Sequence, residues 1–304
     1  MTKPPTVSAI VPFYNSERHL TECLNSLLAQ DFELPFEIII INDGSSDNSL
    51  SIIKTFNKSC IKVFSLPSNS GPAAARNLGL KKATGEYVFF LDADDTIEPE
   101  TLSTLYRCAS ETDTDLVFCD CKWIENNKNQ RTTLFSFPKD MNISRSELTT
   151  IMQDRLHNPL YISGPLSFKG KLIKRSIILE NNLVFEEELR YMEDEIFMWN
   201  VLAFVESVKY LRKQFYNYYV HPNVNTTVVE SLNLGFPISK FKIIRDHIKQ
   251  SFSHRGCSPK MVTRLGDQAF IYFVINVLIS NSKSILQGKI DRDKGEKCRR
   301  KIID

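Results

Sequence analysis

The first half of the chain alternates short apolar runs with amphipathic stretches. Val7 to Val11 is apolar and is closed by Pro12. Beyond Ser16, a residue suited to cap a helix, Leu20, Cys23, Leu24, Leu27 and Leu28 recur at the spacing of a helix buried along one face. Phe36 to Ile41 contains four consecutive isoleucines, which predicts a strand covered on both faces in a parallel sheet. Asn42-Asp43-Gly44-Ser45-Ser46-Asp47 reads as a turn into a helix through Ile52, Ile53 and Phe56, and Ile61 to Leu66 as a third strand. Pro72 opens another helix at its first turn, running through Ala73, Ala74, Ala75 and Leu78 until Gly85 breaks the pattern.

Tyr87 to Leu91 is the fourth apolar strand, and it ends directly in Asp92-Ala93-Asp94-Asp95. A helix from Pro99 and a strand from Leu116 to Cys121 follow. Strands and helices alternating at this pace predict right-handed βαβ units, hence an α/β, doubly wound sheet. Ligands of such sheets bind beyond the carboxyl ends of the strands. The turns after Val11, Ile41, Leu66 and Leu91 should therefore converge on one crevice.

The polar stretch Glu125 to Arg131 reads as a surface loop and an expected boundary. Residues 1–125 would form a nucleotide-handling half, 126–230 an acceptor-side half and 231–304 a helical extension. Ser144–Leu156 and Tyr191–Val205 have helical patterns, Val208–Tyr219 reads as strand, and the text from Leu232 onward is helical and amphipathic. The longest hydrophobic stretch, Ala269 to Ile279, contains Asn276 and is shorter than the ~20 apolar residues that span a bilayer. The N-terminal residues lack the apolar core of a signal peptide. The expectation is a cytoplasmic protein, with peripheral membrane contact through the C-terminal helices and the basic residues Lys297, Arg299, Arg300 and Lys301 as an option.

Composition narrows the function classes. With 42% hydrophobic and 24% charged residues in 304, wholesale disorder is excluded. Lys+Arg 38 against Asp+Glu 36 leaves +2, so no surface for nucleic acid is expected. Seven cysteines without C-x-x-C spacing point to reduced thiols rather than a disulfide framework. No G-x-G occurs, and Gly164…Gly170-Lys171 has one residue too many for a phosphate loop, with Leu172 where Ser or Thr is required. The histidines have no metal-ligand spacing, although His221 could approach a phosphate.

Three carboxylates at the mouth of an apolar strand, Asp92, Asp94 and Asp95, repel one another unless something neutralises them. A divalent cation completed by substrate phosphates meets that demand. The alternative is a polar turn in which Asp95 caps the helix near Pro99. Asp43, at the end of the isoleucine strand, could accept a hydrogen bond from a base N–H, or form an ordinary Asx turn. Pro12-Phe13-Tyr14-Asn15 offers an aromatic face for a nucleobase or for the core. Arg76 is expected to be exposed, within reach of a nucleoside or phosphate. Met192-Glu193-Asp194-Glu195 is either an acidic first helical turn or the seat of a carboxylate base.

The ordered set resembles a family 2 glycosyltransferase. The matching segments are Val7–Asn15, Ile41–Asp47, Asn69–Asn77, Gly85–Asp95, Lys171–Ser176 and Glu193–Phe197. The resemblance implies a GT-A fold, Rossmann-like, with a mostly parallel central sheet, helices on both faces and a C-terminal helical extension. It implies that Pro12, Tyr14 and Asp43 hold uracil, with Asn69 and Arg76 nearby and Ala93 in the donor site. Asp92 would contact ribose or metal, Asp94 would coordinate Mn2+ or Mg2+, and Asp194 would be the general base of an inverting transfer. The donor would be a UDP-sugar and the acceptor a saccharide, such as a lipid-diphosphate-linked intermediate of a bacterial surface polysaccharide. Relatives often carry arginine near Tyr219 and serine near Thr226, where this chain departs from the pattern. A sugar-phosphate nucleotidyltransferase would show a Gly-rich basic loop after its first strand, and Pro12–Asn15 is not one. A non-catalytic carbohydrate-binding protein on the same fold is the third alternative.

Overall fold

The computed structural model describes residues 4–125, 129–133, 139–157, 167–189, 192–220 and 238–268. In chain order the elements are β1 (Val7–Phe13), α1 (Leu20–Leu28), β2 (Phe36–Asn42), α2 (Ser49–Thr55), β3 (Ile61–Ser65), α3 (Pro72–Lys82), β4 (Tyr87–Phe90), β5 (Thr96–Ile97) and α4 (Thr101–Thr112). There follow β6 (Leu116–Glu125), β7 (Asn129–Thr133), β8 (Met141–Ser144), α5 (Arg145–His157), β9 (Lys171–Lys174), α6 (Arg175–Glu180), α7 (Glu193–Phe204), β10 (Ser207–Val220) and α8 (Ile238–His254). Two compact units result. The first comprises Met1–Arg145, Phe168–Glu187 and Val205–Val220, and the second Ser146–Ser167, Glu188–Phe204 and His221–Asp304.

The first unit holds one sheet in the order β3-β2-β1-β4-β9-β6-β10-β5, with β7 on β6 and β8 on β10. The pairs β2/β3, β1/β2 and β1/β4 are parallel, the doubly wound arrangement expected from the sequence. Ile38, Ile39, Ile40 and Ile41 are all fully buried, which accounts for the unbroken apolar run. Beyond β4 the sheet is mixed. Strand β9 runs antiparallel to both β4 and β6, whereas β6 and β10 are parallel. The strand–helix rhythm that dictates parallel neighbours stops at β6, and antiparallel pairing takes over.

Several local expectations shift. Helix α1 begins at Leu20 with no side-chain cap: Ser16 accepts the Leu20 N–H through its carbonyl, while its hydroxyl bonds the Tyr14 carbonyl. Helix α4 starts at Thr101 rather than at Pro99. The polar stretch read as a loop supplies the paired ends of a β6–β7 hairpin, Glu125 opposite Asn129. Residues 207–220 form one long strand, with register shifts between Leu211 and Gln214 and between Gln214 and Tyr216.

The second unit is helical among its described residues. Helix α7 is apolar around most of its circumference, so it is buried rather than amphipathic. Its Trp199 lies 5.7 Å from the Phe252 ring of α8. Arg255 Nε donates to the Leu202 carbonyl at 2.9 Å and its Nη1 to the Thr149 hydroxyl at 3.1 Å, tying the last turn of α7 to the side of α5. No helix among the described residues is long and apolar enough to cross a membrane. His221, Thr226 and the C-terminal basic residues named above lie outside the described residues.

A buried carboxylate locks the parallel strands in register. Glu37 on β2 accepts from Ser8 of β1 at 2.6 Å, from the Thr84 backbone N–H at 2.7 Å and from Lys62 of β3 at 2.6 Å. Burial pushes its pKa up, but Lys62, Ser8 and Thr84 outweigh that and hold it below the ordinary value of 4.5. Removing the carboxylate takes the acceptor from the buried Ser8 hydroxyl, whereas Lys62, 45% exposed, and the exposed Thr84 can turn to water. Glu37→Ala should cost about 2 kcal/mol in urea unfolding, the scale for removing the acceptor of a buried hydrogen bond. The stability that the ionised group contributes is complete above its unfolded pKa and is lost as pH falls through the lower folded one. The gap between wild type and Glu37→Gln should therefore narrow on acidification below pH 4.5.

Candidate active site

The carboxyl ends of β1, β2, β3 and β4 lie side by side because their strands are neighbours. Asp43 follows β2 and is buried, and its N–H donates to the Phe13 carbonyl at 2.9 Å. Its carboxylate accepts the Ser70 N–H at 2.7 Å on one oxygen and the Gly71 N–H at 2.9 Å on the other. Gly44 sits at φ +70°, and a Cβ there would meet the Asn69 nitrogen at 2.7 Å, so only glycine permits this approach. Asn15 completes the junction: its Oδ1 accepts the Ser46 N–H and its own N–H donates to Ser45. The turns after β1, β2 and β3 are thus tied together. Pro12 is buried opposite Ile41, Tyr14 is 46% exposed and Asn69 is exposed.

Gly71 leads straight into α3, and Arg76 follows little more than a turn later. The structure corrects the expectation that Arg76 is exposed. It is buried, with its guanidinium 4.5 Å from the centre of the Phe168 ring, and it donates to Asp92 Oδ1 at 2.9 Å. The other Asp92 oxygen accepts from the Lys169 ammonium, which also lies 3.5 Å from Asp95 Oδ2. Burial would raise the Asp92 pKa, but the charges of Lys169 and Arg76 hold it well below the carboxylate range. Burial would likewise lower the Lys169 pKa, and the facing Asp92 and Asp95 raise it instead.

Asp95 is fully buried. It does not cap α4 but accepts the Tyr216 hydroxyl at 2.7 Å and the Tyr219 N–H at 3.0 Å. Burial, with Asp94 and Asp92 alongside, pushes its pKa up to about 8 against the pull of Lys169. The Tyr216 hydroxyl in turn receives the Asp92 N–H at 3.3 Å. Ala93 is buried and Asp94 half-buried between these two anchored carboxylates.

This arrangement bears on metal binding. Among the described residues no group of three His, Cys, Asp or Glu side chains could hold an ion. Both Asp92 oxygens already carry cationic donors, and Asp94 is the next carboxylate of the run, half-buried as Asp92 is. One carboxylate plus ligand phosphates is a sufficient set for a hard divalent cation, so the residues fit a cation shared with a diphosphate.

Asp194 belongs to the second unit. It lies in the first turn of α7, half-buried, and its Oδ1 accepts the Glu195 N–H at 2.8 Å. Thus Pro12, Tyr14, Asp43, Asn69, Asp92, Ala93 and Asp94 lie at the carboxyl ends of the first unit's parallel strands, with Arg76 reaching Asp92 from α3. Sequence reasoning missed Lys169 and the Tyr216–Asp95 contact. Lys169 lies in a turn with no periodicity to flag it, one residue before the Gly170-Lys171 pair discarded as a phosphate loop.

The sequence pattern of Glycosyl transferase family 2 matches residues 8–178. The chain belongs to this family. As a family 2 chain it is 33% identical over 214 residues to a poly(ribitol-phosphate) β-N-acetylglucosaminyltransferase, TarS, of Staphylococcus aureus. That match takes in 69% of this chain and 35% of TarS, so the chain spans about a third of that relative's length. It is also 33% identical over 261 residues to an uncharacterized glycosyltransferase, YibD, of Escherichia coli, covering 81% of this chain and 71% of YibD. Among solved structures, S. aureus TarS 1–349 in complex with UDP superposes with a TM-score of 0.60 at 29% identity, covering 82% of this chain and 72% of that one. The fold of this family 2 chain is therefore GT-A, with the mixed sheet described above.

The Arg76–Asp92 pair should also be a stability element. Arg76→Ala strips the Phe168 face and leaves Asp92 with one cation, at a cost of about 3 kcal/mol. Thermal unfolding would read this as a clear fall in Tm, partly recovered in Arg76→Lys.

Proposed function

We propose that this chain is an inverting glycosyltransferase that moves a hexose or N-acetylhexosamine from a UDP-sugar to a hydroxyl of a saccharide acceptor. The observation that carries this reading is the paired anchoring at the carboxyl ends of the parallel strands. Asp43 is fixed by the backbone of Ser70 and Gly71, and Asp92 by Arg76 and Lys169 on the next parallel strand but one. The Asp43 carboxylate would accept the N3–H of uracil, with Tyr14 and Pro12 as the ring's neighbours and Asn69 at the rim. Arg76 keeps Asp92 ionised and oriented towards the ribose.

Asp94 would hold Mn2+ or Mg2+ together with the diphosphate. A cation there would neutralise the charge that builds on the departing UDP. Asp194 would take the proton from the acceptor hydroxyl as it attacks C1 from the face opposite the leaving group, a contribution typically of ~10²–10⁴-fold. The S. aureus relative named for N-acetylglucosaminyl transfer to poly(ribitol-phosphate), and its structure with UDP, support a UDP-linked donor and a bacterial surface polymer or its lipid-linked intermediate as acceptor. Work at such an acceptor would bring the protein to the inner face of the membrane as a peripheral component.

Two substitutions separate the roles. Asp194→Asn should reduce transfer by about 10²–10⁴-fold while UDP-sugar affinity, measured by calorimetry, stays near wild type. Asp94→Ala should lose the part of UDP affinity that EDTA removes from the wild type. Loss of donor binding in Asp194→Asn would overturn the base assignment.

A further inference from the structure

We infer that Lys169 is a built-in counter-cation that keeps a free divalent ion off Asp92, so that the ion is taken up together with the nucleoside diphosphate. The inference rests on the UDP-sugar reading and concerns how that same site is loaded.

Asp92 and Asp94, two apart at the mouth of β4, ought to attract a bare cation. The protein fills part of that role itself. Arg76 takes Asp92 Oδ1 and the Lys169 ammonium takes Oδ2. Lys169 also stands 3.5 Å from Asp95, so one side chain serves both anchored carboxylates. Its ammonium is boxed by three rings, 5.0 Å from the centre of Tyr218, 5.1 Å from Phe168 and 5.7 Å from Tyr216. Aromatic faces favour a cation at such distances. A divalent ion approaching Asp92 Oδ2 therefore meets a positive charge already seated there.

The two cations are not equivalent. Arg76 is a rigid fork laid against Phe168, with a side chain only 7% exposed. Lys169 is a point charge on a flexible stem, 18% exposed, reaching in from the turn before β9. Lys169 is thus the partner that can yield. A diphosphate supplies what a bare ion lacks: oxygens that ligate the metal and a new anionic partner for the ammonium. Lys169 would then exchange Asp92 for a phosphate oxygen, opening Asp92 Oδ2 at the moment the nucleotide arrives. It acts as a positioning residue, not as a proton carrier.

The test reads metal binding directly. Free Mn2+ is followed by electron paramagnetic resonance during titration of wild type, Lys169→Met, Lys169→Gln and Lys169→Arg, each with and without UDP. Without UDP, Lys169→Met and Lys169→Gln should bind Mn2+ at least about tenfold more tightly than wild type, because an adjacent like charge has been removed. Lys169→Arg keeps the charge and without UDP should bind Mn2+ as weakly as wild type, and with UDP present the advantage of the neutral variants should vanish. The methionine variant suits the aromatic box, and the glutamine variant provides a second folded protein should methionine disturb it. Neutral variants that bind no more tightly than wild type, while UDP still recruits Mn2+ to the wild type, overturn the inference and leave the donor reading intact. A wild type that binds no UDP under any metal condition overturns the donor reading and the inference with it.

Discussion

Carboxyl groups at the end of a fully buried strand must be paired or hydrogen-bonded on the spot, and much of the first unit is arranged around that requirement. Strand β4 is apolar throughout and delivers Asp92 to a half-buried place and Asp95 to a fully buried one. Unpaired charge there would cost several kcal/mol. The answer comes from three directions: Arg76 from α3, Lys169 from the turn before β9, and Tyr216 with the Tyr219 amide from β10. Elements far apart in the sequence are thereby held to one short polar segment, and the antiparallel insertion of β9 is what brings Lys169 within reach.

The same logic runs one strand pair away, with backbone in place of side-chain donors. Asp43 is satisfied by two amides at the start of α3, so a single helix links both carboxylate centres. Its first turn begins on Asp43 and its second presents Arg76 to Asp92. The spacing between the two centres is set by a rigid rod, not by loops.

What could be read from the text follows from burial. Strands covered on both faces leave unbroken apolar runs, so β1, β2 and β4 were visible, and polar residues directly after them, Asp43 and Asp92, stood out. The family resemblance rested on those same stretches, and the matched span of residues 8–178 covers most of them. Arg76 was located but misjudged, because a lone arginine on an alanine-rich helix carries no mark of the aromatic rings that will cover it. Lys169 and the four-residue β9 were hidden because their environment is made by long-range pairing with β4 and β6. The β6–β7 hairpin was masked by its polar sequence, since a strand at the margin of a sheet need not be apolar.

The contact from β10 to Asp95 has one more implication. It is made by the main-chain amide of Tyr219, a group that every amino acid but proline possesses. The side chain at that position meets Thr96, hydroxyl to hydroxyl, at 3.4 Å. The side chain at position 219 can therefore be exchanged for another while the aspartate beneath keeps its main-chain anchor.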